Sequence, residues 1–520
     1  MKNILKYTII GFLAIGLQSC DKWLLEDSGD LMIPKNVLEF IPLLQGEAYP
    51  HTFNVDVNWL VLMTDDVEIG VFERNMANPQ EGWHDRFDVV RGGEGRYAFR
   101  WDMDIEERIP DVFWTRRYRN ILGANTIIAN LSTMDYSEAQ VGRFHFLAAQ
   151  AYALRALNYF WLVNTYALPW SPENLDKPGV VLRKTPDIST EPQPRATIGA
   201  VWDFINADLK EAEEHMKLAE VSPNKHLIGP AALMLLQTRV ALFQEKWDDV
   251  IRIGEAFIAE YPTIHNLNTE NVNQFGSDET GAFYIFDMTR NREIIFTFGD
   301  NSRDYRFLST APTLAAFGFR VSITDNPGNA VTNRPLISLY EESDLRRLAY
   351  FERFPVPSGN TNRFHFPTKM GRRGTITNNR ENWRTVEVYL NLAEAHAQRS
   401  TGVNAEAIRL LNVLRVNRIR TADYRDLRIS NFRNKQELIE FIWNERRREL
   451  CFEEAMRWWD LRRQGMPRLE RREVVSINPL MHETRVLPQG SPNYVLPIPR
   501  AEAMFNTGII NNPRVHIPSQ

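Results

Sequence analysis

The chain has 520 residues, is 43% hydrophobic and 24% charged, and carries a formal net charge of -5 with only two cysteines. Such a balance describes a globular body large enough for one big domain or several closely packed ones. Its mild acidity gives no electrostatic case for nucleic acid, and two cysteines cannot build a disulfide framework, so stability is expected from packing.

At the start of the chain, Lys2 and Lys6 precede an apolar run from Tyr7 to Leu17 that ends in Leu17-Gln18-Ser19-Cys20. The run is too short for a lasting membrane span, which needs about 17–25 residues, and reads as a signal peptide over residues 1–19. This ending resembles the lipobox of bacterial lipoproteins, in which a small residue lets a peptidase close on the backbone, and the resemblance implies that the Cys20 thiol accepts lipid. Each buried CH₂ adds about 0.8 kcal/mol, so two or more acyl chains at Cys20 would hold a tether over 20–35 durably at a membrane. Beyond Leu17 no further apolar run is long enough to span, which places the body beside the membrane.

From residue 36 the pattern is mainly helical. Residues 36–50 predict a short helix, and 51–101 predict mainly loop, with Trp59, Trp83, Tyr97 and Trp101 among Gly, Asn and Asp. Over 111–131, Phe113, Trp114, Tyr118, Ile121, Asn125 and Ile128 recur three or four residues apart on one stripe. Residues 137–170 predict a partner helix with Ser137 as N-cap and many small residues for close approach. A proline-rich excursion from Pro172 to Pro194 follows, then a helix over 197–216 and two more within 226–262 around a Gln244–Trp247 turn. Val250, Gly254, Phe257 and Pro262 have the spacing of a tetratricopeptide repeat, whose helix pairs bury a face by stacking on neighbours.

Residues 265–380 turn rich in Gly, Asn, Pro and Thr, with candidate small strands at 281–288 and 293–299 and one helix within 337–354. Helical periodicity returns as a helix-turn-helix over 383–419, and 434–465 predicts one helix with an acidic start and Gly465 at its stop. The expected architecture is therefore mainly all-α: tetratricopeptide-like helix pairs forming a scaffold, a loop-rich insertion and minor β. Its regions are 36–264, 265–380 and 381–520, packed as one compact body.

In the last of these regions Arg448, Glu449, Glu453, Arg457, Asp460 and Arg462 alternate charge at helical spacing. Salt-bridge lacing along one helix is the plain reading; exposed pairs contribute about 0.3–0.5 kcal/mol each, and buried ones can fix packing. A catalytic Glu449/Glu453 pair is disfavoured, because adjacent arginines keep both carboxylates ionised. There is no GxxxxGK[ST], no HExxH and no paired-cysteine pattern, and the ten histidines are scattered. No cofactor and no metal are expected.

Several segments, in order, resemble the SusD/RagB family of outer-membrane nutrient-binding lipoproteins of Bacteroidota. They are Cys20; 111–125 with Trp114, Tyr118 and Asn125; 153–170 with Arg155 and Tyr159; 383–395 with Arg384, Glu387 and Glu394; 411–418 with Asn412 and Arg415; 446–463 with Arg448, Glu449, Glu453, Arg457 and Asp460; and 494–513. Two departures are Ala167, and Glu454 or Ala455, where the family often has glycine. The resemblance implies a scaffold with four tetratricopeptide-like pairs and a variable ligand-binding part. It also implies a SusC/RagA-type TonB-dependent outer-membrane transporter as partner and an exterior-facing, lipid-anchored location. The matched motif residues are expected to be structural.

For ligand contact the expectation falls on loop aromatics, since a pyranose ring has an apolar face that fits an aromatic surface. The candidates are Trp83, Tyr97 and Trp101 in the early loop and Tyr305 and Phe307 in the insertion, with Asp88, Arg91, Asn301 and Arg306 as hydrogen-bonding neighbours. The expected activity is noncatalytic capture of oligosaccharide or polysaccharide fragments for delivery to the transporter. A RagB-like peptide binder, a helical glycoside hydrolase and a purely protein-binding scaffold are the alternatives.

Overall fold

The computed structural model describes residues 34–51, 54–71, 94–102, 105, 112–187, 191–272, 283–299, 317–321, 335–354, 364–367, 369, 381–477 and 480–519. Its first element, α1 (Val37–Leu43), is capped by the Asn36 side chain, which accepts from the Leu38 and Glu39 amides, and it runs into a π turn over Leu44–Ala48. Residues 51–101 hold more regular structure than the loop expected: α2 (Asn54–Leu62), β1 (Val67–Val71) and α3 (Glu94–Phe99).

The helical layer then builds in sequence. α4 (Val112–Asn130) packs on α5 (Val141–Tyr166), and α5 packs on α6 (Ile198–Lys217). Next come α7 (Pro230–Phe243) and α8 (Trp247–Glu260), joined by the tight turn expected there. α5 lies at the centre: every residue from Ala153 to Tyr166 is buried, so this helix is shielded all round rather than on one stripe. Two of its buried amides donate back along the helix, Asn158 and Asn164 to the Leu154 and Phe160 carbonyls at 2.7 and 2.8 Å. The free carbonyls at its C-terminus draw donors from distant chain: Arg195 and Asn512 reach Tyr166 O at 3.1 and 2.7 Å, and Arg462 reaches Ala167 O. Ala167 itself is extended at φ -129°, a conformation that needs no glycine.

Close approach does require glycine at two helix crossings. A Cβ on Gly123 of α4 would lie 2.7 Å from the Glu47 carbonyl carbon of the π turn, and one on Gly254 of α8 would lie 2.6 Å from Leu392 Cγ.

After α8 the chain leaves the helical layer. β2 (Ile294–Phe298) pairs antiparallel with β6 (Glu381–Arg384), and β1 pairs antiparallel with β3 (Phe317–Val321). The stretch 283–288, expected as a strand, contains turns instead; its Phe283, Tyr284, Ile285 and Phe286 are buried. Within 337–354 the expected helix shrinks to one turn, α9 (Arg346–Ala349), which runs into β4 (Phe351–Phe354), the partner of β5 (Phe364–Pro367).

β6 leads directly into α10 (Thr385–Arg399), which packs on α8, on α11 (Ala405–Arg415) and on α12 (Lys435–Leu450), restoring the helical array. The single helix expected over 434–465 is two, because the chain turns at Cys451–Ala455 before α13 (Met456–Arg463). Phe452 and Glu454 there have φ of 61° and 48°, in the left-handed region that favours glycine. Glu454 is held in it by fixed partners: the Trp161 and Trp383 indole nitrogens donate at 2.9 and 2.8 Å, and Arg239 lies 2.9 Å away. A hairpin not anticipated from the sequence, β7 (Leu469–Ile477) with β8 (Leu480–Leu487), lies against β1, and the short α14 (Arg500–Phe505) follows.

Candidate functional site

Six of the eight described strands gather along one border: β8 pairs with β7, β7 lies against β1, β1 pairs with β3, β3 lies against β5, and β5 pairs with β4. The register of the β1–β3 ladder places Val71 opposite Phe317. Segment 72–93, which carries Trp83, Asp88 and Arg91, therefore leaves the described structure at the same ladder end where segment 300–316, which carries Asn301, Tyr305, Arg306 and Phe307, re-enters it. Those seven side chains, and Cys20, lie outside the described residues.

The two remaining aromatic candidates sit on and just after α3. Tyr97 is half-buried. Trp101 is fully buried at φ 52°, donates from its indole to Met63 O at 2.8 Å, and has the Arg471 guanidinium 3.8 Å from its ring centroid. Its own carbonyl accepts from Asn493 at 2.8 Å. With its face already covered by Arg471, Trp101 has none to offer a sugar; the expectation for it is corrected to a packing pin between α2, α3 and the C-terminal segment. Arg100 beside it pairs with Glu473 of β7 at 2.8 Å, fixing α3 to the hairpin.

The motif residues divide into two seams. Trp114 and Tyr118 pack with ring centroids 4.7 Å apart, and Tyr118 donates to Val181 O at 2.7 Å. Tyr159 donates to Arg183 O at 2.9 Å, and Asn125 donates to Arg183 O and Thr185 O at 3.0 and 3.1 Å. Arg155 forks onto Asp208 at 2.7 and 2.8 Å and gives a further hydrogen bond to Asn125 at 2.8 Å. These side chains pin the proline-rich excursion onto α4, α5 and α6. Tyr118 and Asn125 also line a pocket of about 260 Å³ with Arg183, Asp187 and Glu502, a grouping that no spacing in the sequence announces.

The second seam corrects the expectation of lacing along one helix. Two of the six do follow that pattern, Arg448 pairing with Glu445 at 3.0 Å and Asp460 with Arg463 at 2.7 Å, each one turn away. Glu449 instead receives Arg384, Arg346 and Arg418 at 2.6, 2.9 and 3.0 Å and the Tyr350 hydroxyl at 2.8 Å. Glu453 binds Lys369 at 2.8 Å and also Arg384; Arg457 forks onto Asp65 at 2.7 Å; Asp460 takes Arg446 at 2.8 Å. Glu387 forks with Arg239 at 2.7 Å, and Glu394 takes Arg463 at 2.6 Å and the Trp443 indole at 2.9 Å. Nearly all of this is out of water.

Burial alone would raise the Glu449 carboxyl, but the guanidiniums of Arg418, Arg384 and Arg346 outweigh it and hold the pKa well below the usual range. Glu445 is brought to about 2: burial opposes, and Arg346 and Arg448 prevail. A group held ionised in this way cannot deliver a proton as a general acid. The Cys451 thiol is buried and pushed up to about 11, chiefly by desolvation, which makes it inert as a nucleophile. Among the described residues no group of three or more His, Cys, Asp or Glu is placed to hold a metal ion, and no helix is long and apolar enough to cross a membrane.

Two family profiles match the chain. The SusD family profile covers residues 355–514, and a SusD-like profile described as starch-binding and associating with the outer membrane covers 92–236. Among solved structures, a SusD-like carbohydrate-binding protein from Bacteroides vulgatus is 18% identical over 92% of this chain and 99% of its own, with a TM-score of 0.64. A SusD superfamily protein from Bacteroides thetaiotaomicron is 18% identical over 92% and 100%, with a TM-score of 0.66. A laminarin-binding SusD-like protein is 20% identical over 92% and 99%, with a TM-score of 0.57. At these identities the likeness is one of fold. No curated protein matches the chain.

Proposed function

The chain belongs to the SusD/RagB family, and on that premise we propose that it is a noncatalytic outer-membrane lipoprotein. In this reading it captures oligosaccharide or polysaccharide fragments and hands them to a SusC-like TonB-dependent transporter. The acyl groups sit on Cys20, the helical body is the rigid part, and the loops rooted along the β border take the ligand by ring stacking and hydrogen bonds. The observation that carries this reading is the β1–β3 register, which roots both aromatic-bearing segments, 72–93 and 300–316, at one ladder end. Trp83, Tyr305 and Phe307 are proposed as the stacking rings, with Asp88, Arg91, Asn301 and Arg306 bonding to hydroxyls and Tyr97 at the base. No bond is broken; import energy comes from the transporter side.

Calorimetric titration of a glycan panel tests this, with β-glucan oligomers as first probes because one structural neighbour is a laminarin binder. Trp83→Ala and Tyr305→Ala are expected to weaken binding of the cognate glycan by about 1–2 kcal/mol each, the scale of a lost aromatic contact, whereas Arg409→Ala on the outer helical surface leaves it unchanged. Unchanged affinity in both loop variants would remove these rings from the site, and binding of peptides in place of glycans would move the chain to the RagB-like reading. Cys20→Ala is expected to abolish palmitate labelling and release the protein from the outer membrane.

A further inference from the structure

Two of the ten histidines meet across the α5–α6 packing. His145 and His215 face one another with their Nδ1 atoms 2.9 Å apart and ring centroids separated by 5.1 Å. The rings are set in place from both sides: His215 lies nearly parallel to Tyr152 at 5.9 Å and 19°, and the edge of Phe144 meets both imidazoles at 5.4 and 6.2 Å. Further along the same helix pair the Arg155–Asp208 fork locks α5 to α6, so the two backbones cannot drift apart freely. Both rings are half-buried and keep an open side toward solvent.

Two neutral imidazoles at this distance share one proton, donated by one Nδ1 to the lone pair of the other. When the donor ring takes its neutral tautomer with the proton on Nε2, both Nδ1 lone pairs are free and a cation can accept them. With metal–nitrogen bonds of about 2.0–2.1 Å, nitrogens 2.9 Å apart subtend roughly 90° at the ion. That is the cis angle of square-planar or octahedral coordination, and it is narrower than a tetrahedral centre requires. Glu211 stands one helical turn before His215 and acts on its charge, as does His145, so a carboxylate is close by to balance an added cation.

We propose that His145 and His215 form a two-imidazole site for a divalent late transition-metal ion, Cu²⁺ above Ni²⁺, bound through both Nδ1 atoms with water completing the coordination. The site lies on the helical scaffold, away from the β border, and stands whether or not the glycan reading does. Binding joins α5 to α6 and so stabilises the folded chain by mass action.

The test uses the untagged full chain with CuCl₂ or NiCl₂ alone as probe. Titration calorimetry is expected to give one ion per chain, with affinity falling in acid, where protons compete for imidazole. The Cu²⁺ electron paramagnetic resonance spectrum is expected to carry two equatorial nitrogens. His145→Phe and His215→Phe keep an aromatic ring in the stack and should each weaken binding about tenfold or more, the scale expected when a ligand is lost. They should also remove the metal-induced rise in melting temperature. A wild-type spectrum without histidine nitrogens, or affinities unchanged in both Phe variants, would overturn the proposal.

Discussion

In α5 the run from Ala153 to Tyr166 is buried and made mostly of Ala, Leu and aromatic side chains, whereas in α12 the run from Glu445 to Glu449, equally buried, reads Glu-Arg-Arg-Arg-Glu. The first excludes water because most of it is apolar and its few polar side chains, such as Arg155, Asn158 and Asn164, bond within the protein. The second excludes water because its charges are paired: Arg448 meets Glu445 on the same helix, and the others meet opposites on other elements, Glu445 and Glu449 on Arg346, Glu449 on Arg384 and Arg418, Arg447 on Asp66 at 2.6 Å, Arg446 on Asp460. An apolar core loses stability locally when an atom is removed, while a charge network fails as a unit, since removal of one member leaves its partners uncompensated.

The sharpest way to break this contrast is Glu449→Gln. Three guanidiniums would share a neutral amide, and a loss of about 3–5 kcal/mol is expected in denaturant unfolding. Combining it with Arg418→Met should give a clearly non-additive total, whereas Leu157→Ala in α5 combined with a distant core change should add. Acid probes the same region without mutation. The folded pKa of Glu445 lies at about 2, below the unfolded value near 4.5, so its stabilisation is complete above about 4.5 and is lost as pH falls toward about 2. An acid-unfolding arm in that window should be blunted in Glu445→Gln.

Next in size, Gly123→Ala forces a methyl against the Glu47 backbone, which cannot step aside as a side chain would; about 1–3 kcal/mol is expected from the unfolding midpoint. Thr197→Ala removes the N-cap of α6, whose hydroxyl accepts from the Ala200 amide at 3.2 Å, and should cost about 1 kcal/mol. At the small end, Glu406→Ala breaks an exposed one-turn pair with Arg409 and should change stability by no more than about 0.5 kcal/mol. If that surface pair proved as costly as Glu449, the distinction between buried and exposed charge drawn here would collapse.

Much of the helical layer was legible from the chain itself, because the stripe through Trp114, Tyr118 and Ile121 and the cap at Ser137 are local signals that decay within a turn or two. The β border was less legible. β1 and β3 are five-residue strands whose partners lie far away in sequence, and no periodicity within either names the other. Trp101 was misplaced for the same reason: an aromatic in a Gly-rich stretch looks available until Arg471, from the other end of the chain, covers its face.

The sequence by itself determined the helix periods and the family motifs, since each is written in neighbouring residues. Only the tertiary structure decided that the charges of α12 and α13 turn inward, that the helix breaks at Phe452 and Glu454, and that His145 meets His215. Those outcomes depend on which distant groups arrive at the same point, and electrostatic pairing and desolvation act across space with no regard for separation along the chain.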